Sequence, residues 1–241
     1  MTRLSYYLFL KPMSMLPLGV LYFITWPFYF LMAYVINYRG KVILKNLRNS
    51  FPEKSEREIR SIKRKFHRHL FDYFIESLKL FSMTKKEGLS RFSVTNPQLI
   101  EGLYNEGRHI AMMMGHYNNW ELIGFLNHIL KHRFVAIFAN LKNKFMNKVI
   151  EQSRIQGDAI MVPRKEVNGF MRGYKERPYI MFFGSDQSPN MNSKLHWSTF
   201  LNQESAFAVG AERYAKIFNM GVVFAHLRKV RRGHYELCSS F

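Results

Sequence analysis

Residues 12–38 contain no charged side chain, and this run constrains the chain more than any other feature. As one helix it would reach roughly 40 Å, more than the ~30 Å of bilayer hydrocarbon. Pro17 and Pro27 interrupt it, so a kinked span or a re-entrant hairpin is as consistent with it as a straight helix. Its tyrosines and Trp26 suit lipid headgroups where they fall near the ends. The run is too long for a cleaved signal, and no small-x-small site follows it. A buried core helix is the alternative. The expectation is a membrane anchor over 1–38.

Charge supports the same reading. Arg39, Lys41, Lys45 and Arg48 follow the run, against Arg3 and Lys11 before it, which places the bulk of the chain on the cytoplasmic side. Residues 39–69 carry 11 Lys/Arg and three Glu. A basic segment beside an anchor suits anionic headgroups, and a solvated helix face is compatible with it. The whole chain has a formal charge of +19, which asks for an anionic partner: nucleic acid, membrane, phosphorylated substrate or acidic protein. Zinc-finger spacing, aromatic-basic RNA-binding patterns and a recognition-helix arrangement are all missing, so nucleic acid is not expected. One cysteine, Cys238, excludes a disulfide framework and a Cys-based zinc site, and it reads as a small apolar residue of a late strand.

Organisation follows from periodicity. Ser55–Glu58 form a capping box, and Ile59, Ile62, Phe66, Leu70, Tyr73, Phe74, Leu78 and Phe81 predict an apolar helical stripe within a basic amphipathic region, 39–95. On that helix His67 and His69 read as surface residues. Asn96-Pro97 opens a helix ending near Gly107. Short apolar runs at 109–114, 134–139, 159–162, 179–183 and 222–227 predict buried strands, followed by a late strand at 234–239. Helical patterns lie between them at 119–131, 143–156, 166–175 and 204–219, with Gly157 and Gly221 as helix ends. This alternation predicts an α/β fold, a sandwich around a largely parallel sheet, over 96–241.

The stretch Gly115-His116-Tyr117-Asn118-Asn119-Trp120-Glu121 follows a predicted strand and opens a helix. Ligands of open α/β sheets bind beyond the carboxyl ends of strands, where His116 should stand. With His116 in the turn and Glu121 in the first helical turn, the carboxylate can reach back to the imidazole. It would then fix the tautomer while the other nitrogen takes a proton from a hydroxyl. Spacing alone equally allows Glu121 as a helix-start carboxylate capped by Asn118. No G-x-S-x-G, Walker or dinucleotide glycine pattern occurs, and no metal set is expected.

In order along the chain stand Arg39…Asn46-Leu47…Phe51-Pro52-Glu53-Lys54-Ser55, Glu76-Ser77-Leu78-Lys79, His116 through Glu121, Arg154 with Gly157, Ser185-Asp186-Gln187, and Phe200-Leu201-Asn202 on to Gly210. This set resembles the bacterial lipid A biosynthesis acyltransferases, the late lauroyl and myristoyl transferases within the wider glycerolipid acyltransferase fold. The resemblance implies direct transfer of an acyl chain from acyl carrier protein to a hydroxyl of a phosphorylated lipid A precursor. It implies that no covalent acyl-enzyme forms and no cofactor is needed. It implies His116 and Glu121 as the catalytic pair, and Arg154, Asp186, Gln187 and Asn119 as substrate-binding positions, with Arg154 on a phosphate or the developing oxyanion. It implies the inner membrane of a Gram-negative bacterium, with the catalytic domain on the cytoplasmic face.

Residues 138–143 depart from the Arg-Pro pair common there, which opens the acceptor to other glycolipids, phospholipids or aminolipids. Family members usually continue with a further strand and helix beyond the equivalent of Phe241. Acyl carrier protein is acidic, and Arg228, Lys229, Arg231 and Arg232 are its expected dock, in competition with 39–69. A non-catalytic basic membrane or nucleic-acid-binding protein is the alternative of another class.

Overall fold

A computed structural model of the protein describes residues 3–192 and 194–241. Nine strands occur among them: β1 Phe92–Val94, β2 Ile110–Met114, β3 Arg133–Phe138, β4 Ile160–Pro163, β5 Tyr179–Gly184, β6 Leu195–Phe200, β7 Gln203–Ala208, β8 Gly221–Arg231 and β9 His234–Ser240. Seven form one sheet in the order β1-β9-β8-β2-β5-β3-β4, with every pair parallel except β8 with β9. Thus β1, which falls within the segment 39–95, joins the sheet of the α/β core.

The central strands are apolar throughout because both their faces are covered. In β2, Ile110, Met112 and Met114 enter one cluster with Leu122, Phe125, Phe134 and Phe182. Ala111 turns to the other face with Val135, Val162, Met171, Tyr179 and Met181. This is the period of two expected of a strand.

The helical patterns at 119–131, 143–156 and 166–175 are met by a 3₁₀ helix Trp120–His128 and by α-helices Lys144–Arg154 and Val167–Gly173. The pattern at 204–219 is only half met. Residues through Ala208 pair with β6 as an antiparallel hairpin, and the helix is Gly210–Ile217. The hairpin turns on Leu201 and Asn202, both with positive φ. Two-residue turns of that hand usually announce themselves with Asn-Gly, which is missing here. At the end of the following helix Asn219, not Gly221, takes the left-handed conformation (φ 46°), and Gly221 opens β8. Gly157 does take positive φ, as expected.

The long helix Glu56–Lys79 begins with the expected capping box: the Glu58 amide donates to Ser55 Oγ, and the Ser55 amide donates to Glu58 Oε2. Its faces differ from expectation. Phe66 and Phe74 are exposed, whereas His67, Asp72, Glu76 and Lys79 are buried with Ile59, Phe71 and Ile75. His67 is therefore not a surface residue; its Nε2 donates to the Tyr38 carbonyl at 2.9 Å.

The uncharged run is broken into Leu18–Ile24, Trp26–Phe30 and Leu31–Val35, after a first helical stretch that ends at Met15. Among the described residues no single helix is long and apolar enough to cross a membrane. Arg3–Met15 and Leu18–Ile24 pass that test together but are bent by 118°. Pro17 stands at the bend, where it cannot continue the preceding hydrogen-bond ladder. Leu18, Leu21, Tyr29 and Ala33 pack on Phe71 and Ile75 of the long helix. The run is thus a set of short helices bent at Pro17 and packed on the long helix, not one straight helix.

Candidate active site

His116 and Asp186 meet because of strand register. β2 and β5 are adjacent and parallel, with Met114 opposite Gly184, and each polar residue stands two positions further on. Asp186 holds His116 twice. Its Oδ2 accepts from the His116 amide at 2.7 Å, and its Oδ1 lies 2.6 Å from Nδ1. An ionised carboxylate only accepts, so Nδ1 carries a proton, and in the neutral ring the lone pair is then on Nε2. Gly184 is required beneath the ring, since a Cβ there would collide with the imidazole.

Glu121 does not reach back to His116 in this structure. Its carboxylate is bonded by Arg154, Nε to Oε2 at 2.7 Å and Nη2 to Oε1 at 2.6 Å. The reason is geometric. Glu121 lies in the first turn of the 3₁₀ helix, which leads away from the imidazole, and the ring is already engaged by the neighbouring strand end. Burial opposes the Arg154 charge, but the Glu121 carboxylate outweighs it and raises the guanidinium pKa. Close by, burial and then the charge of Glu121 push the Tyr73 phenol up. Arg154 also lies over the Trp120 ring, 4.9 Å from its centroid, and Gly124 gives its backbone room: a Cβ there would meet the Arg154 carbonyl at 2.8 Å.

Asn119 is brought near the site but not into it. Its side chain is buried, and Nδ2 donates to Glu76 Oε2 at 3.0 Å, so it ties the turn to the long helix. Asn118 has φ 57°, and its side-chain Nδ2 donates to the Leu227 carbonyl at 2.6 Å rather than the side chain capping Glu121's helix. Glu76 also accepts from Tyr22 at 2.6 Å and from Tyr235 at 2.8 Å. Gln187 stands with its Nε2 3.5 Å from His116 Nε2, too far for a strong hydrogen bond.

Two cavities meet at Gln187. One of about 210 Å³ is lined by His116, Trp120, Phe134, Phe138, Arg154 and Phe182, among others. The other, about 880 Å³, lies between the carboxyl ends of the sheet and the β6–β7 hairpin, against Asp186, Trp197, Phe200, Phe207 and Phe224. Both have mainly apolar walls, so a hydrocarbon chain can lie within reach of the imidazole. Among the described residues no group of three or more His, Cys, Asp or Glu is placed to hold a metal ion.

Sequence reasoning missed Trp120 as the platform between His116 and Arg154, and it missed the hairpin wall. The aromatic spacing Trp197, Phe200 and Phe207 was visible, but only the hairpin aims these rings at the sheet end. The expected acidic-protein dock is also partly spent. Lys229 and Arg232 pair with buried Asp72, and Arg228 pairs with Glu236.

A comparison with curated proteins gives no match. Residues 2–239 match a family model described as bacterial lipid A biosynthesis acyltransferase.

Proposed function

Since the chain belongs to the bacterial lipid A biosynthesis acyltransferase family, nearly its whole length being matched, we propose that it moves a fatty acyl chain from acyl carrier protein to a hydroxyl of a lipid A precursor. The observation that carries the mechanism is the His116–Asp186 pair, which leaves Nε2 with its lone pair at the cavity wall. Nε2 takes the proton of the acceptor hydroxyl as its oxygen attacks the thioester carbonyl. The tetrahedral oxyanion is stabilised by Arg154, whose position is held by Glu121. Collapse breaks the carbon–sulfur bond, and the thiolate leaves with the proton carried by the imidazolium. Asp186 keeps its negative charge throughout and stabilises that imidazolium. No side chain is acylated.

The smaller, 210 Å³ cavity, which His116 lines, takes the acyl group, while the 880 Å³ cavity takes the multi-chain acceptor. The bent N-terminal helices dip into the inner membrane from the cytoplasmic face, and the basic surface meets anionic lipid and acidic carrier protein. Phe138 and Ala139 line the smaller cavity at the place where the family commonly carries Arg-Pro. This favours, as a second reading, an acceptor with fewer phosphate contacts, such as another glycolipid or an aminolipid.

The test is mass spectrometry of lipid A precursor after incubation with fatty-acylated acyl carrier protein and the full chain in detergent. The expected product gains one acyl chain, and His116→Ala lowers its rate by roughly 10²–10⁴-fold. An undiminished rate in that variant would overturn the mechanism, and transfer only to a different acceptor would select the second reading.

A further inference from the structure

Away from His116, two stripes face each other. On the helical stretch after Thr25, Trp26, Phe30 and Tyr34 recur every fourth residue and are exposed. On the long helix Arg60, Arg64 and Arg68 do the same, one turn or about 6 Å apart. The stripes run antiparallel. Arg68 lies over Trp26, 5.7 Å from the ring centroid. Phe30 and Tyr34 wall a recess of about 410 Å³ with Arg64, Lys65 and Arg68. Tyr34 walls a second of about 310 Å³ with Arg48, Arg60, Lys63 and Arg64. The recesses share Tyr34 and Arg64, so they form one furrow.

The furrow has an excess of positive charge that the protein does not neutralise. Glu56 is engaged by Arg48 at 2.6 Å and lies 3.9 Å from Arg60, and Glu58 serves the capping box. Among the described residues Arg64, Lys65 and Arg68 have no carboxylate within 4.0 Å. Lys63 donates to Asn37 Oδ1 at 2.6 Å and closes one end. Beside the aromatic stripe Phe23, Phe28, Leu31 and Val35 are also exposed. Guanidinium groups match phosphate oxygens, and an aromatic ladder beside them matches the headgroup level of a bilayer.

We propose that this furrow is a binding site for an anionic glycerophospholipid of the bilayer. The phosphate sits among Arg60, Lys63 and Arg64, and the acyl chains run past Phe30 over the exposed apolar side chains. A free phosphate would leave the aromatic wall unused, and an acidic protein would have to cover the apolar residues around it. The furrow shares no lining residue with either cavity at His116, so it is separate from the acceptor site.

The experiment is sedimentation of the full-length protein with phosphatidylcholine vesicles, with and without phosphatidylglycerol. The Arg60→Gln/Arg64→Gln/Arg68→Gln variant is compared with Lys131→Gln/Arg172→Gln/Lys175→Gln, which removes equal charge elsewhere. The furrow variant should lose on the order of 100-fold in partitioning to phosphatidylglycerol vesicles, from three surface charges. It should keep its partitioning to phosphatidylcholine alone, and the control variant should bind like the parent. Arg64→Glu alone, a change of two charges, should lose roughly 30-fold, which keeps the test open if the triple variant folds poorly. Equal losses in both triple variants would overturn the site. So would displacement from the vesicles by glycerol 3-phosphate at matched ionic strength, or an unchanged Arg64→Glu. No acyl transfer is measured, so the result is separate from that of the proposed reaction.

Discussion

The α/β core and the N-terminal layer both bury an apolar cluster, but they differ in how much charge they bury beside it. In the core the sheet strands put Ile, Met, Val and Phe inside, and its buried His132 is neutral, with Nε2 donating to the Arg108 carbonyl and Nδ1 without a partner among the described residues. In the layer built by residues 3–79 the interior includes Ser14, Thr25, His67, Asp72, Glu76 and Lys79, while Phe9, Phe23, Phe28 and Phe30 are outside. Buried carboxylates there are served by cations and hydroxyls: Asp72 by Arg232 and Lys229, Glu76 by Tyr22 and Tyr235. An arrangement with polar contacts inside and aromatics outside is unfavourable in water and favourable against hydrocarbon. The difference teaches that the interior of the layer is specified by polar pairings between distant segments and that of the core by apolar packing.

The largest effects are expected where the core meets substrate. Asp186→Asn should lower transfer by roughly 10²–10⁴-fold, since the imidazole loses its orienting acceptor. Glu121→Gln and Arg154→Gln should each be severe, yet the double variant should be little worse than either, because the two act as one unit. Asp186→Asn combined with Glu121→Gln should instead approach additivity. Steady-state rates of the singles and doubles decide this, and a unit formed by Glu121 with His116 would reverse the pattern.

Breaking the polar interior of the layer comes next. Asp72→Ala leaves Arg232 and Lys229 without their buried partner and should cost about 3 kcal/mol in chemical denaturation. If the cost is below that of an ordinary surface change, the layer's polar interior is not holding the long helix to β8 and β9.

The core's neutral histidine sharpens the contrast through pH. Burial holds the His132 pKa down at about 4, against about 6.5 for an unfolded imidazole. Above pH 6.5 both states are neutral and the stability is fully present. As pH falls from 6.5 towards 4 the unfolded chain binds a proton that the folded one refuses, so stability declines by about 3 kcal/mol. His69, His109 and His128, also held down by burial, have the same sign. His132→Gln should flatten part of this limb, measured by denaturation at pH 4.5 and 7.5.

The smallest stability effect is the most informative about the layer. Phe23→Ser with Phe28→Ser should change unfolding free energy by less than about 0.5 kcal/mol per site in detergent-free buffer, because both rings are exposed. Retention on phosphatidylcholine vesicles should nevertheless fall. Full retention would mean that these rings do not face lipid.

Local signals determined much of this protein. Runs of apolar residues gave the five parallel strands, because a strand covered on both faces needs no polar alternation. Ser55 and Glu58 marked the start of the long helix, since their bonds are made within one turn. The position of His116 after β2 placed it at the carboxyl end of the sheet. What the tertiary structure alone decided is which groups meet. Asp186 is 70 residues from His116 and touches it only because β5 lies beside β2, a strand order that no local period encodes. Glu121, five positions away, is turned to Arg154 by the helix it opens. The helix-favouring Glu204-Ser205-Ala206 became a strand because β6 was there to pair with it. Likewise the apolar stripe of the long helix is split between solvent-facing Phe66 and Phe74 and a polar interior, since the partners of Asp72 and Glu76 come from β8, β9 and the first helices. Periodicity records the shape of an element, whereas the partner of each face is set by packing between segments far apart in the chain.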